Sequence, residues 1–128
     1  MNKTVFNKLN QIILILLLGF MTLQTSCKKD DDTLNGTVWK GTENMSRYRT
    51  DYTMLLQEST FTIMAREYDY SDGTTDSYSL HGTYTYKHPN ITLMSSFDGE
   101  FVILNGNVTG KQMTIYGVDG VPLVFTKQ

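Results

Sequence analysis

The chain has 128 residues, with 13 acidic and 11 basic side chains and a formal net charge of −2 at pH 7. This length can bury the core of one domain. The slight acidity and the lack of a basic stripe argue against a nucleic-acid-binding protein. The single cysteine rules out an internal disulfide, so packing and hydrogen bonds must hold the domain together.

The N-terminal segment has the pattern of an export signal. Lys3 and Lys8 precede an apolar run over residues 12–21, and the small residues Thr25 and Ser26 follow it. A helix of this run would be ~15 Å long, whereas a membrane span needs roughly 20 apolar residues. We therefore predict that residues 1–26 are a signal peptide that is removed from the mature chain.

Cys27 stands directly after that segment, where it resembles the lipobox cysteine of bacterial lipoproteins. The resemblance implies that its thiol carries a lipid such as palmitate, and that its amine becomes the new N-terminus. A charged run follows, which as solvated residues would make 27–33 a tether. This run is also similar to the export signal of Bacteroidetes lipoproteins, and it consists of Lys28, Lys29, Asp30, Asp31 and Asp32.

That similarity implies a lipid-anchored protein of the outer membrane that is displayed at the cell surface. A periplasm-facing protein is the alternative. Thr33, in the triplet from Asp32 to Leu34, resembles an O-glycosylation motif of the same phylum, although a chance match explains three residues equally well.

Alternating apolar and polar residues after Leu34 are typical of β-strands. Asp-Gly pairs at 72–73, 98–99 and 119–120 favour tight turns between them. The pattern predicts eight strands over residues 36–42, 48–57, 60–70, 75–87, 91–95, 101–109, 112–116 and 121–127.

Short connections between consecutive strands favour an antiparallel meander. Each strand has one apolar face, and closure of the sheet would cover all of these faces and remove the exposed edges. We therefore predict an all-β, eight-stranded barrel over residues 34–128, with a flattened barrel or two-sheet sandwich as the alternative. Gly82, in the middle of the fourth strand, would allow that long strand to bend.

The domain resembles the small lipocalin-like domains of Bacteroidetes lipoproteins. The resemblance lies in the opening segment 34–41, in the strand 82–86 and in the terminal segment 124–127. The lipocalin pattern is Gly-x-Trp, whereas here one more residue separates Gly36 from Trp39, which suggests a bulge. The resemblance implies binding of small apolar molecules in the mouth of the barrel.

The inward-facing aromatic residues determine whether the barrel interior holds a pocket or is filled by side chains. Trp39 is expected to plug one end of the barrel. Tyr78, Tyr84 and Tyr86 share the inward face of the fourth strand, where they would either orient a ligand or fill the core. Because an eight-stranded barrel is only just wide enough for its side chains, a core filled by these residues together with Phe61, Phe101 and Phe125 is favoured.

The remaining polar residues do not form a catalytic or metal-binding pattern. His81 and His88 are expected to face solvent, and Asp69, Asp72 and Asp76 are expected to be turn residues at a solvated hairpin tip. We predict no enzyme activity, cofactor or metal. The sequence instead favours a membrane-anchored binder of a small apolar molecule, with a structural or protein-interaction module that has a filled barrel and an envelope protein partner as the alternative.

Overall fold

The computed structural model describes residues 33–128. The predicted signal peptide, Cys27 and the charged run therefore lie outside the described residues. Eight strands follow one another: β1 (Thr37–Asn44), β2 (Tyr48–Leu56), β3 (Thr60–Asp69), β4 (Thr75–Lys87), β5 (Asn90–Phe97), β6 (Glu100–Thr109), β7 (Gln112–Tyr116) and β8 (Pro122–Lys127).

Each strand pairs with the next in antiparallel orientation, and β1 pairs with β8 to close the sheet into a barrel. The closing seam is short, since only Trp39, Lys40 and Gly41 pair with β8. The predicted closed antiparallel barrel is confirmed. The architecture is consistent with a small lipocalin-like barrel, and the sheet has no free edge.

The turns follow the predicted chemistry. Asp98 and Gly99 connect β5 to β6 with φ angles of 54° and 81°, a left-handed pair that matches the twist of a two-residue hairpin. Gly73 and Gly120 also have positive φ, at 72° and 78°. Asp72 caps its turn by accepting a hydrogen bond from the Thr74 amide at 2.9 Å. These local preferences explain why the predicted strand limits agree closely with the observed ones.

The two ends of the barrel differ, and we name them the closed end and the mouth. The closed end contains the starts of odd-numbered strands and the ends of even-numbered strands, with connections 57–59, 88–89 and 110–111. The mouth contains the connections 45–47, 70–74, 98–99 and 117–121. Both ends of the described chain lie at the closed end, because β1 begins there and β8 finishes there.

The closed half is filled with apolar side chains. Trp39 is fully buried, and its indole Nε1 donates a hydrogen bond of 2.8 Å to Thr37 Oγ1, which itself donates to the Leu34 carbonyl at 2.6 Å. This relay satisfies the polar groups that burial of Trp39 brings inside. The buried cluster that contains Trp39 also includes Leu34, Met54, Leu56, Phe61, Tyr84, Ile91, Leu93, Val108 and Met113.

Glycines stand at inward-facing positions where neighbouring strands approach closely. A Cβ on Gly82 would clash with the Met94 carbonyl oxygen and lie 2.7 Å from Phe61 Cε1. A Cβ on Gly106 would clash with the Thr114 carbonyl oxygen in the same way. A side chain at either position would force the strands apart, so the absence of one allows the sheet to bend sharply enough to close.

Two expectations are wrong, one about the direction of a side chain and one about the backbone of β1. Phe101 faces outward and is 79% exposed, because the inward face of β6 consists of Val102, Leu104, Gly106 and Val108. The extra residue between Gly36 and Trp39 does not create a bulge, since β1 pairs with β2 without interruption from Thr37 to Asn44. Gly36 instead lies in the turn before β1, with φ 75°.

Candidate functional site

The mouth half of the barrel contains a cavity of about 270 Å³. Its position follows from the strand order, because its lining residues come from the mouth halves of the strands and from the 117–121 connection. The apolar part of the wall is mostly aliphatic and consists of Ile63, Leu80, Leu104, Ile115, Leu123 and the ring of Phe125. Tyr52 and Tyr78 add two phenol rings to the lining.

Phe125 separates the cavity from the filled half. Its ring is buried, belongs to the core and lines the cavity. An ideal Cβ on Gly41 would lie only 3.2 Å from Phe125 Cδ1, so the ring rests directly against the glycine backbone of β1. The Tyr52 ring meets Phe125 edge to face at a centroid distance of 6.3 Å. Phe125 therefore forms the floor of the cavity, on the side of the closed end.

The polar side chains that line the cavity are two carboxylates and two phenols. Glu43 and Asp119 contribute carboxylates to its lining. The Tyr52 hydroxyl donates a hydrogen bond of 3.0 Å to Glu43 Oε2, and Asp119 Oδ1 accepts one of 3.0 Å from the Val121 amide. Burial, followed by the neighbouring Tyr78 and Glu43, raises the pKa of the Tyr52 phenol. Tyr52 therefore remains a neutral donor at neutral pH.

The four aromatic residues singled out from the sequence occupy different places. Trp39 and Tyr84 belong to the buried core, where burial raises the pKa of the Tyr84 phenol. Tyr78 lines the cavity, yet it is 52% exposed because it lies near the start of β4 at the mouth. Tyr86 is half-buried against the core, and its hydroxyl lies 2.7 Å from His88 Nδ1. Only Tyr78 of the four faces the cavity.

The interior is thus neither wholly filled nor wholly hollow. The favoured filled core describes the closed half, whereas the mouth half holds a cavity close to the lower limit of about 300 Å³ for small-molecule sites. Taking roughly 30 Å³ as the volume that one water molecule occupies in the liquid, the cavity accommodates about nine water-sized groups. Its size fits a small molecule or one end of a longer one.

Asp69 differs from the expected solvated turn residue, because it is buried at the end of β3. Its carboxylate accepts hydrogen bonds from the Ser71 hydroxyl at 2.6 Å and from the Ser71 amide at 2.8 Å. It also forms an ion pair with Arg47 at 3.0 Å. The Ser71 and Arg47 contacts lower the pKa of Asp69 to about 2. This group fastens the 45–47 connection to the 70–74 connection at the mouth.

The two histidines do not line the cavity. His81 and His88 are exposed, as predicted, and His81 contacts the hydroxyls of Thr62 and Ser79 on the outer surface. Within residues 33–128, no three His, Cys, Asp or Glu side chains are grouped so that they could hold a metal ion.

The same residues include no helix with the length and apolar character needed to cross a membrane.

Sequence patterns alone did not indicate the carboxylates of the cavity. The inward direction of Glu43 could have been predicted, because alternation along β1 places it on the same face as Trp39 and Gly41. Asp119 gives no comparable signal, since an Asp-Gly pair predicts a turn and does not indicate which way the carboxylate faces. Its place in the cavity depends on how the 117–121 connection folds over the mouth.

Comparisons of the chain with protein-family models, with curated proteins and with solved structures give no match.

Proposed function

We propose that this chain is a lipid-anchored envelope lipoprotein of the lipocalin-like type that binds a small, largely apolar molecule in the mouth cavity. In this proposal Cys27 carries the lipid and residues 28–32 direct the protein to the outer membrane, with display at the cell surface. The observation that carries the binding function is the cavity of about 270 Å³ with its aliphatic wall.

The wall explains why an apolar ligand would be favoured. Transfer of apolar surface out of water contributes about 25 cal/mol per Å². Leu80, Leu104 and Leu123 offer such surface while they are themselves only partly buried. The core below the cavity is well packed and includes Phe125, so a ligand can enter without rearrangement of the closed half.

The binding test is a titration of the isolated barrel with 1-octanol, which has nine non-hydrogen atoms. Residues 33–128 contain a complete closed sheet and one contiguous core, so this fragment is a self-contained folding unit. We expect saturable shifts of the backbone amide NMR signals that are largest around Leu104, Ile115 and Leu123. Shifts spread evenly over the surface, or none, would contradict the proposal.

A matched pair of variants locates the site. Leu104→Trp places a larger side chain in the cavity wall and should weaken octanol binding at least tenfold. Ile103→Trp makes the same kind of change on the exposed outer face of the same strand, and should leave binding within about twofold. Cooperative thermal unfolding of both variants verifies that each is folded.

A second candidate is the protein-interaction module, and the exposed apolar side chains of the mouth favour it. Phe97, Phe101, Ile103 and Val118 are all more than half exposed. Large exposed apolar side chains on neighbouring elements often mark a contact surface. Cross-linking in intact cells through a photoreactive residue at position 101 would capture an envelope partner in this case, whereas a barrel that acts only as a binder would give no specific product.

A further inference from the structure

We infer that the mouth cavity selects amphipathic cations, such as a primary amine on a short apolar chain, over neutral or anionic molecules of the same size. This inference deepens the proposed function and depends on it. The aliphatic wall supplies the binding surface, and the charged groups at its rim determine which head group is accepted.

The charged lining has one sign. Glu43 and Asp119 are the charged residues among those that line the cavity, and both are acidic. A carboxylate has about four acceptor sites, whereas in the described residues Glu43 accepts one side-chain hydrogen bond, from Tyr52. An ammonium group offers three donors and a positive charge. It therefore complements this rim, while a ligand carboxylate would meet like charge.

Arg47 and Arg49, the two basic residues nearest the mouth connections, each form an ion pair. Arg47 forms its ion pair with Asp69 at 3.0 Å, and Arg49 pairs with Asp51 at 3.1 Å. Neither arginine lines the cavity. These contacts remove the positive charges of the mouth from competition for Glu43 and Asp119.

Charge is also distributed unequally along the barrel axis. The four connections of the mouth, with the three strand residues on either side of each, carry eight acidic and two basic side chains. The closed end, counted in the same way over residues 33–128 with both ends of the described chain, carries one acidic and three basic side chains. A ring of one sign around an opening raises the local concentration of oppositely charged ligands.

The test compares three probes of equal chain length: octylamine, 1-octanol and octanoate, titrated into residues 33–128 at 20 mM salt and neutral pH. We expect octylamine to bind about tenfold more tightly than octanol, and octanoate to bind more weakly than octanol. Raising the salt concentration to 500 mM should reduce the advantage of the amine, because screening weakens partly exposed charge interactions.

Charge-removing variants identify the groups responsible. In Glu43→Gln and Asp119→Asn, the amide oxygen can still accept the bond from Tyr52 or from the Val121 amide. The double variant should bind octylamine and octanol about equally, with octanol affinity unchanged. Each single variant should lose part of the tenfold difference. Glu58→Gln removes the same charge at the closed end and should leave the ratio as it is in the wild type.

The outcomes separate the two proposals. If octanol binds in the cavity but the amine binds no more tightly, or if the double variant keeps the amine preference, the cation selectivity is wrong and the proposed apolar binding remains. If no probe binds, both proposals are wrong. Equal binding of octanoate and octylamine would also overturn the selectivity.

Discussion

Asp69 is the residue whose environment differs most from its sequence context. Its position beside an Asp-Gly turn is typical of a solvated carboxylate, yet the structure buries it against Arg47 and Ser71. The partners come from 22 residues before it and two residues after it. The local contact could be foreseen from the turn sequence, whereas the ion pair depends on the register of β2 with β3.

The low pKa of Asp69 leads to a prediction about acid stability. The folded-state pKa of about 2 lies below the unfolded value of about 3.9. The ionised carboxylate therefore stabilises the fold above about pH 4, and this contribution is lost as the pH falls towards 2. In thermal melts, Asp69→Asn should lower Tm at pH 7 and should show a smaller decrease between pH 4 and pH 2 than the wild type.

Asp76→Asn is the control for this measurement, because Asp76 lies exposed in β4 outside the contacts with Arg47. Its acid dependence should match the wild type. Parallel pH profiles for the wild type and Asp69→Asn would mean that the ion pair and the Ser71 contacts do not contribute to acid stability.

At the scale of the strand, period-two alternation predicted element limits well and predicted facing well where only one face is apolar. In β4, Leu80, Tyr84 and Tyr86 lie inward as their alternation indicates. In β6 the alternation fails, because residues 101–104 are all apolar and either face could be buried. The register with β5, which pairs Leu93 with Leu104, resolves this ambiguity and leaves Phe101 outside.

The close approach of Met94 and Phe61 to Gly82 in β4 gives a prediction at the same scale. Gly82→Ala should lower the free energy of unfolding by about 1–3 kcal/mol, since the new methyl group would clash with the Met94 carbonyl and crowd Phe61. Denaturant unfolding measures this directly. Thr83→Ala, at the next and outward-facing position, should change stability by no more than about 0.5 kcal/mol. Equal effects at the two positions would show that close packing at Gly82 is unimportant.

At the scale of the whole molecule, the sequence predicted closure of the barrel but not the division of its interior. Closure of the sheet could be predicted because each of the eight strands has one apolar face and the connections between them are short. The cavity depends on how side-chain volumes distribute between the two halves. Trp39, Phe61 and Tyr84 all lie on the closed side, whereas much of the apolar wall in the mouth half comes from the smaller Leu80, Leu104 and Leu123. Such a distribution emerges only from the three-dimensional register.

The proposed lipid anchor concerns the whole chain, and it is tested in cells. Metabolic labelling with a fatty-acid probe should mark the wild-type protein, and Cys27→Ser should abolish the label and release the protein from the membrane fraction. Ser26→Ala keeps a small residue before the cysteine and should remain labelled. An unlabelled wild type, or a Cys27→Ser protein that fractionates like the wild type, would refute the lipid anchor.

Both ends of the described chain, residue 33 and Gln128, lie at the closed end of the barrel, and this has a consequence for how the barrel can be attached and altered. Main-chain hydrogen bonds join Gln128 to Val38, and Lys127 to Lys111, so the C-terminus is fastened beside the start of β1. A support or tag joined to Gln128 is therefore attached at the closed end and leaves the mouth unobstructed. Of the four connections of the mouth, 98–99 contributes neither to the Asp69 contacts nor to the cavity lining, so it is the connection at which an inserted recognition loop should disturb the barrel least.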